Sequence, residues 1–255
     1  MKGLMMMSRN TCLAIALLFG ITLPAAADEP APGKQVAAKL PVKVTSSDAV
    51  AESDLHYLIF LPEGYSKEKK FPLMLFLHGA GERGDNDLPL VKKHGPPKLV
   101  ESTRKDFPFI LISPQCPKGS WWNSEHLFKL LDEVESKYSV DKSQVYVTGL
   151  SMGGFGTWKM TAEQPKRFAA AIPICGGGDP KTAEKLVDLP IWVFHGDKDT
   201  AVKLEQSEKM VNAIKEAGGK SVKLTVYPGV GHDSWTETYN NKEVYEWLLS
   251  HKRKS

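Results

Sequence analysis

Residues 145–153 read Val-Tyr-Val-Thr-Gly-Leu-Ser-Met-Gly, an apolar run that ends at a serine between two glycines. The first four residues are β-branched or aromatic and predict a buried strand. The residues from Phe155 to Glu163 are compatible with a helix. A strand that turns sharply into a helix at Gly-x-Ser-x-Gly is typical of a nucleophile elbow, where glycines leave room for the strained turn. The pattern predicts Ser151 as a nucleophile, with the N–H of Met152 directed at a developing oxyanion; the alternative is an ordinary serine in a glycine-rich turn.

Short apolar runs and helix-like segments alternate along the chain on both sides of this turn. The runs that predict strands are Leu55 to Leu61, Pro72 to Leu77, Phe109 to Ser113, Gln144 to Thr148, Ala169 to Pro173, Ile191 to Phe194 and Val222 to Tyr227. This alternation predicts an α/β protein with a mainly parallel sheet of about eight strands flanked by helices. Residues 176–190 are too few for a large lid domain, so we expect an open active site.

A second glycine-rich segment, residues 77–81, follows the strand that ends near Leu77 and reads Leu-His-Gly-Ala-Gly. Small residues here allow the backbone to approach a substrate carbonyl, which predicts the N–H of Ala80 as the second oxyanion-hole donor. We interpret His78 as a residue that fixes this loop.

An acid and a base are expected after the serine, because folds with a nucleophile elbow of this kind place their triad in the chain order serine, acid, histidine. His232 lies in a glycine-rich loop after the last predicted strand and is the predicted general base. Asp197 and Asp199 both follow the strand that ends near Phe194, and either carboxylate fits the chain order. We interpret His195 as structural.

Three tryptophans lie close to these segments in the sequence. Trp121 and Trp122 occupy a loop after a predicted strand, and Trp235 follows His232 by three residues. Exposed indoles at this edge of a sheet predict a platform for an acyl group, an aromatic acid or a sugar. The alternative is that one of the two adjacent tryptophans packs in the core under the loop.

The composition limits other functions. Lys and Arg are scattered among Asp and Glu with a net charge of +3, which gives no support for nucleic-acid binding. No paired-histidine helix or tight Cys/His spacing predicts a metal site, and no cofactor is expected. Cys116 and Cys175 follow strands that are not expected to be neighbours, which predicts two separate, mostly buried thiols.

The first residues predict export. Lys2 and Arg9, an apolar run from Cys12 to Leu23 and the sequence Ala25-Ala26-Ala27 predict a signal peptide over residues 1–27, cleaved after Ala27. The alternative is a membrane anchor, but the apolar run is short for a bilayer, and no other stretch is long and apolar enough to span one. We expect a flexible leader over residues 28–40, a catalytic domain over residues 41–255, and a secreted or periplasmic protein.

Five segments together carry a family resemblance. They read LHGAGERGDN, SPQCPKGSWW, GLSMGGFGTW, FHGDKDTAV and GHDSWTETYNN. The set, within residues 55 to 250, resembles the secreted phospholipase/carboxylesterase and dienelactone-hydrolase-like esterases, which include feruloyl esterases and polyhydroxybutyrate-depolymerase-like proteins. The resemblance implies the α/β-hydrolase fold, a triad of Ser151, Asp199 and His232, and oxyanion donors at Ala80 and Met152. It selects Asp199 over Asp197, because the family's acid lies three residues after the glycine of its His-Gly motif.

The resemblance also shapes the expected reaction. Dienelactone hydrolases use a cysteine nucleophile, and the serine here argues against dienelactone chemistry. The expected function is a serine carboxylic-ester hydrolase that forms an acyl-enzyme, acting on a small-molecule or polysaccharide-linked ester such as a feruloyl, acetyl or other short acyl ester. The alternatives are a serine peptidase of the prolyl-oligopeptidase type, a lysophospholipase, or a non-catalytic binding protein on the same fold.

Overall fold

The computed structural model describes residues 30–45, 50–102 and 106–253, so the predicted signal peptide lies outside the described residues. The strands are β1 Gln35–Thr45, β2 Val50–Phe60, β3 Phe71–Leu77, β4 Ile110–Pro114, β5 Val140–Leu150, β6 Ala170–Ile174, β7 Ile191–Gly196 and β8 Val222–Tyr227. The α-helices are α1 Gly95–Ser102, α2 Ser124–Lys137, α3 Met152–Glu163, α4 Glu205–Glu216, α5 Trp235–Asn240 and α6 Lys242–Leu249.

The strands form one eight-stranded sheet in the order β1-β2-β4-β3-β5-β6-β7-β8. β2 pairs antiparallel with β1 and with β4, and every other pair in the sheet is parallel. The prediction of a mainly parallel sheet of about eight strands is confirmed.

The first strand corrects one expectation. β1 begins at Gln35, so residues 35 to 40 belong to the sheet, whereas the sequence predicts a flexible leader over residues 28–40 and a domain that begins at Pro41. An antiparallel edge strand buries only one face: Leu40 and Val42 are buried while Lys39 and Lys43 are exposed. The composition of such a half-exposed strand resembles that of a linker, and this hid it in the sequence.

The core lies in two layers, one on each face of the sheet. Along β3, Leu73, Leu75 and Leu77 face one cluster, and Met74 and Phe76 face the other, as the two-residue period of a strand requires. The first cluster includes buried residues of α2, α3 and α4, and the second includes those of α1, α5 and α6. Helices therefore cover both faces.

The parallel strands end together at one edge of the sheet. Leu77 is in register with Gly149, Leu150 with Ile174, and Gly196 with Tyr227. The loops after β3, β5, β6, β7 and β8 therefore meet at this edge, where ligands bind in open α/β sheets.

Two further expectations concern the chain around this sheet. The connection from β6 to β7 contains only a 3₁₀ segment, Pro180–Leu186, which confirms the absence of a large lid. Within the described ranges, none of the helices combines the length and apolar character needed to traverse a bilayer.

Candidate active site

Ser151 forms the turn between β5 and α3 in a strained backbone conformation. Its φ and ψ are 52° and −117°, a region that non-glycine residues rarely adopt. Its N–H donates to the carbonyl of Ile174 at 3.0 Å. A Cβ added at Gly149 would overlap the Gly153 carbonyl, and a Cβ added at Gly153 would overlap that of Leu77. Both glycines are therefore required for the turn that presents the serine.

Ser151, His232 and Asp199 form a chain of hydrogen bonds. The distance from Ser151 Oγ to His232 Nε2 is 2.9 Å, and from His232 Nδ1 to Asp199 Oδ2 it is 2.7 Å. A carboxylate only accepts, so Nδ1 carries the proton and Nε2 is left to accept the proton of the serine hydroxyl. This arrangement fits a histidine acting as general base on a serine.

The carboxylate of Asp199 is buried and has partners on both oxygens. Oδ1 accepts the N–H groups of Ala201 and Val202, each at 2.9 Å, while Oδ2 accepts from His232. Burial raises the pKa of Asp199, but the hydrogen bonds from His232, Val202 and Ala201 outweigh it, so the pKa lies below its ordinary value. The group is thus held as a carboxylate, ready to stabilise an imidazolium.

The neighbours of Asp199 have different positions. The Nε2 atom of His195 lies 3.2 Å from Asp199 Oδ2 and 2.8 Å from the carbonyl of Val202, and its Nδ1 lies 2.8 Å from Ser207 Oγ. The buried His195 therefore braces the Asp199 loop, in keeping with a structural role. Asp197 is exposed and accepts the N–H of Gly229 at 2.7 Å, so it stabilises a turn.

The two predicted oxyanion donors flank Ser151. Met152 is the first residue of α3, and Ala80 is the first residue of the 3₁₀ turn Ala80–Glu82. The first N–H groups of a helix have no intrahelical acceptor, which leaves them available to a ligand. A Cβ added at Gly79 would lie 3.6 Å from Ser151 Cβ, so the loop that carries Ala80 runs directly beside the serine.

Buried side chains bind the backbone of residues 78–82, which we call the oxyanion loop because it carries Ala80. His78 Nδ1 donates to the Gly79 carbonyl at 2.6 Å, while Nε2 accepts the N–H of Cys116 at 2.9 Å. Burial lowers the pKa of His78 to about 4, so the ring is neutral and one tautomer makes both bonds. The Gly79 N–H donates to Glu82 Oε2 at 3.0 Å. Glu82 was not identified from the sequence, since the signal for it is only a carboxylate three residues after a glycine.

Gln115 is a second residue whose role the sequence does not indicate. Its Nε2 donates to the carbonyls of Glu82 and Asp87 at 3.0 and 2.8 Å, and its Oε1 accepts the N–H of Asp87 at 2.8 Å. A Cβ at Gly84 would lie 2.6 Å from Gln115 Nε2, so only glycine admits this clamp. Gln115 therefore fixes the far end of the loop.

The three tryptophans proposed to bind substrate differ in exposure. Trp122 is 5% exposed, and its Nε1 donates to the His78 carbonyl at 3.3 Å, so it mainly supports the oxyanion loop. Trp121 is 63% exposed, and its ring packs edge-on against Phe155 with a centroid distance of 6.0 Å. The ring of Trp235 lies 5.2 Å from that of His232 at an interplanar angle of 89°. Trp121 therefore contacts a residue in the first turn of α3, and Trp235 contacts the predicted base.

Cys116 and Cys175 are unpaired and buried, as predicted, with β3 and β5 between the strands that precede them. Among the described residues, one group of side chains brings potential metal-ligand atoms together. Cys175, Asp199 and His232 place these atoms within 4.8 Å of one another. Burial raises the pKa of Cys175 to about 12, so its sulfur is a neutral thiol and a poor metal ligand. The donor chemistry therefore fits an acid-base pair better than a metal centre.

The comparisons with known proteins agree with this architecture. The model of the dienelactone hydrolase family matches residues 56–247. The bifunctional acetylxylan esterase/xylanase XynS20E of Neocallimastix patriciarum is 26% identical over 174 residues, which cover 65% of this chain and 24% of that protein. The probable feruloyl esterase C of Aspergillus flavus is 24% identical over 192 residues, covering 73% of this chain and 70% of that one.

Solved structures give the same fold. A thermostable esterase superposes with a TM-score of 0.70 at 35% identity, covering 84% of this chain and 63% of that one. The feruloyl esterase module from Clostridium thermocellum superposes with a TM-score of 0.61 at 18% identity, covering 88% and 90% of the two chains. The expected α/β-hydrolase fold is confirmed. The chain spans about a quarter of the bifunctional relative and under two thirds of the thermostable esterase.

Proposed function

The chain belongs to the dienelactone hydrolase family, and from that premise we propose that it is a serine carboxylic-ester hydrolase with Ser151 as nucleophile, His232 as base and Asp199 as acid. The observation that carries the proposal is the continuous hydrogen-bond chain from Ser151 Oγ through His232 to a buried Asp199. A serine in a strained elbow with an imidazole nitrogen 2.9 Å from its hydroxyl oxygen is suited to acyl transfer.

Acylation follows from this geometry. His232 Nε2 takes the hydroxyl proton as Ser151 Oγ attacks the ester carbonyl carbon, and the N–H groups of Ala80 and Met152 stabilise the oxyanion. The imidazolium then gives its proton to the leaving alcohol oxygen as the C–O bond breaks. Asp199 orients the ring and stabilises its positive charge throughout.

Deacylation repeats the same steps with water. His232 removes a proton from a water molecule that attacks the acyl carbon, and the proton returns to Ser151 Oγ as the acid departs. Every proton passes through His232 Nε2, so the reaction needs no oxidant, reductant or cofactor.

The expected substrate is an ester on a bulky partner. The short β6–β7 connection leaves the sheet edge uncovered, which suits a large alcohol group. Relatives described as acetylxylan and feruloyl esterases point to acetyl or feruloyl groups on polysaccharide, with small-molecule esters as the simpler case.

The site of action in this proposal is outside the cytoplasm or in a periplasm, after cleavage of residues 1–27. Amino-terminal sequencing of the exported protein tests this. A first residue of Asp28 is expected, and retention of Lys2 and Arg9 would contradict it.

A fluorophosphonate probe and p-nitrophenyl esters test the catalytic assignment. We expect Ser151→Ala to lose labelling and, like His232→Ala, to lose about 10⁴-fold or more in kcat/KM. Ser136→Ala, on the exposed face of α2, is the matched control and keeps wild-type rates. Labelling of Ser151→Ala at the wild-type rate would exclude this nucleophile.

Matched amide and ester substrates separate this activity from that of a peptidase. The same acyl group on p-nitroaniline and on p-nitrophenol should give turnover of the ester only. Comparable turnover of the anilide would instead support a peptidase of the same fold.

A further inference from the structure

Cys175 has a backbone conformation that non-glycine residues rarely adopt. It follows β6 directly, and its φ of 39° lies in the left-handed region that favours glycine. Among the described residues other than glycine, only Asn86 and Ser151 share a positive φ. The side chain of Cys175 is fully buried. Strained residues persist only where the surrounding structure holds them, and they cluster at functional sites.

The strained turn at Cys175 lies beside the strained turn at Ser151. β5 and β6 pair in parallel, so the residues that follow these two strands are neighbours. The carbonyl of Ile174 accepts the Ser151 N–H at 3.0 Å. The Cys175 N–H donates to the carbonyl of Phe194 in β7 at 2.9 Å. The end of β6 therefore joins the backbone of the nucleophile to the strand that leads to Asp199.

The chain around Cys175 is in direct backbone contact with the first turn of α3. A Cβ added at Gly176 would lie 2.6 Å from the carbonyl carbon of Gly154. A Cβ added at Gly154 would lie 2.4 Å from the carbonyl oxygen of Ile174. This close packing fixes the turn at Cys175 relative to the elbow.

The sulfur of Cys175 lies among the groups of the proposed triad. Sγ is within 4.8 Å of a carboxylate oxygen of Asp199 and of a ring nitrogen of His232. The Ser151 N–H and the Ser234 hydroxyl also face this sulfur. One atom is therefore next to the elbow, to the loop that carries Asp199 and to the loop after β8 that carries His232, which we call the base loop.

Ser234 is the contact of this sulfur in the base loop. Its N–H donates to the His232 carbonyl at 2.9 Å, so its position is tied to that of the base. Its side chain is fully buried, yet Oγ makes no hydrogen bond of ordinary geometry with a described residue. Because buried hydroxyls nearly always have a partner, this one needs an explanation. The Cys175 sulfur, a weak hydrogen-bonding group, is a polar neighbour that it faces.

A thiol is suited to a position beside a carboxylate. Burial raises the pKa of Cys175 to about 12, so the group stays neutral and adds no charge next to Asp199. It is also a weak donor, so it competes little with His232 for the carboxylate oxygens. The thiol thus fills the space between the loops without weakening the hydrogen bond from His232 Nδ1 to Asp199 Oδ2.

We propose that Cys175 is a positioning residue of the active site, whose sulfur sets the distance between Ser151 and His232 by filling the space between the elbow and the base loop. It exchanges no proton and acts through the backbone of Ser151 and through Ser234. This inference rests on the proposed esterase function and adds a residue to its machinery.

Three substitutions of Cys175 test this role by steady-state kinetics on a p-nitrophenyl ester, with thermal unfolding to show that each variant is folded. Cys175→Gly removes the side chain and adopts a φ of 39° without strain, which offsets part of the lost packing. In Cys175→Gly and Cys175→Ala, kcat should fall about tenfold and KM should change less than about twofold, because displacements below 1 Å have effects of this size. Cys175→Ser keeps a polar atom at the contact, so its kcat should be within about threefold of wild type.

A double-variant comparison identifies the partner of the sulfur. Cys175→Ala and Ser234→Ala remove the same contact, so their losses of kcat should not multiply when the two are combined. Cys116→Ala is the matched control, because it removes the other buried thiol, whose Sγ lies 3.5 Å from the Ser120 carbonyl. Its effect on kcat, whatever its size, should multiply with that of Ser234→Ala.

A measurement without substrate separates this inference from the proposed function. The proton on His232 Nδ1 should give a low-field resonance in the proton NMR spectrum, assigned by its loss in His232→Ala. The resonance should move upfield in Cys175→Ala and Cys175→Gly, because a displaced base loop lengthens the hydrogen bond to Asp199. It should keep its wild-type position in Cys175→Ser and in Cys116→Ala.

The results have distinct meanings. If the wild type hydrolyses no ester but the resonance responds as expected, the esterase proposal fails and the positioning role of Cys175 stands. In an active esterase, three results would each overturn the inference: a wild-type kcat in Cys175→Ala, a Cys175→Ser variant no faster than Cys175→Ala, or losses that multiply in the Cys175→Ala/Ser234→Ala pair. If Cys175→Gly does not fold, these comparisons still decide, since none of them needs that variant.

Discussion

On the side of Ser151 that faces β7 and β8, the contacts of His232 join one side chain to another, whereas on the side that faces β3 the side chains of His78 and Glu82 hold the backbone. His232 contacts both Ser151 and Asp199 through its ring nitrogens. On the other side, His78 and Glu82 use their polar atoms to hold Gly79. In the proposed mechanism the first arrangement moves a proton, and the second positions the loop that carries the Ala80 N–H.

This difference sets how each half should respond to mutation. A proton relay fails when any member loses its protonation state, so its variants should lose activity and remain folded. On the other side, several hydrogen bonds from His78, Glu82 and Gln115, together called the clamp, hold the backbone. Loss of one of these bonds should therefore reduce the activity or the stability only in part.

The largest effect is expected at Asp199. Asp199→Asn removes the acceptor that keeps the proton on His232 Nδ1, and a change of this kind lowers kcat by about 10⁴-fold in serine hydrolases with this triad. Steady-state hydrolysis of a p-nitrophenyl ester measures it, with thermal unfolding to show that the variant is folded.

Asp197→Asn is the matched control, since this exposed carboxylate stabilises only the turn at Gly229. A loss of less than about tenfold is expected, because a single exposed hydrogen bond contributes about 1 kcal/mol. If Asp197→Asn were the inactive variant, the acid would be Asp197, and the proposed hydrogen-bond chain from Ser151 through His232 to Asp199 would be wrong.

Ser151 and His232 could be proposed from the sequence because they are chemically distinctive and follow strands in a fixed order, whereas the choice of Asp199 over Asp197 came from the family resemblance. All seven predicted strands are present, since runs buried on both faces are nearly continuous in apolar residues. β1 was missed for the opposite reason: one of its faces is exposed, and Pro41 and lysines interrupt its pattern.

The clamp was only partly predictable. His78 was recognised as a loop-fixing residue, but Glu82 and Gln115 were not, because their partners are backbone groups. Gln115 reaches Glu82 across 33 positions in the chain, and no local pattern encodes that contact. The sequence also does not show that Trp121 is exposed and Trp122 buried. Two adjacent tryptophans in a loop lack the regular repeat of a helix or strand, which would indicate the buried one.

The next effect is on stability and concerns His78. Its folded pKa of about 4 is below the ordinary value near 6.5, so the unfolded chain binds the proton more readily. The resulting stability is fully present above pH 6.5 and is lost as the pH falls towards 4, by about 3 kcal/mol in total. Urea unfolding at pH 7.5 and pH 5 should show most of this loss.

His78→Asn should flatten that pH dependence even though it lowers stability at neutral pH. His126→Asn changes a partly exposed histidine and should retain the wild-type slope. A wild-type slope in His78→Asn would mean that other groups cause the acid sensitivity and that the loop does not depend on a neutral ring.

The smallest effect is expected at Glu82 and is the most informative about the clamp. Glu82→Ala removes the acceptor of the Gly79 N–H, so the adjacent Ala80 N–H should align less well with the oxyanion. Complete removal of one oxyanion donor costs about 10²–10³ in kcat, so misalignment should cost a part of that, roughly tenfold, with little change in KM. Steady-state kinetics that resolve kcat from KM measure this.

Glu82→Gln keeps an oxygen acceptor and should restore most of the lost kcat, because the clamp depends on the hydrogen bond to Gly79 and not on the charge. Arg83→Ala provides the comparison, because Arg83 Nε donates to the Ala80 carbonyl in the same turn at 3.1 Å in an exposed position. Arg83→Ala should lower kcat less than Glu82→Ala does. Should Glu82→Gln be as slow as Glu82→Ala, the negative charge itself would be required. His94, whose Nε2 lies 3.8 Å from Glu82 Oε1, would then be the partner to vary, and the oxyanion side would prove to depend on side-chain pairs as the acid-base side does.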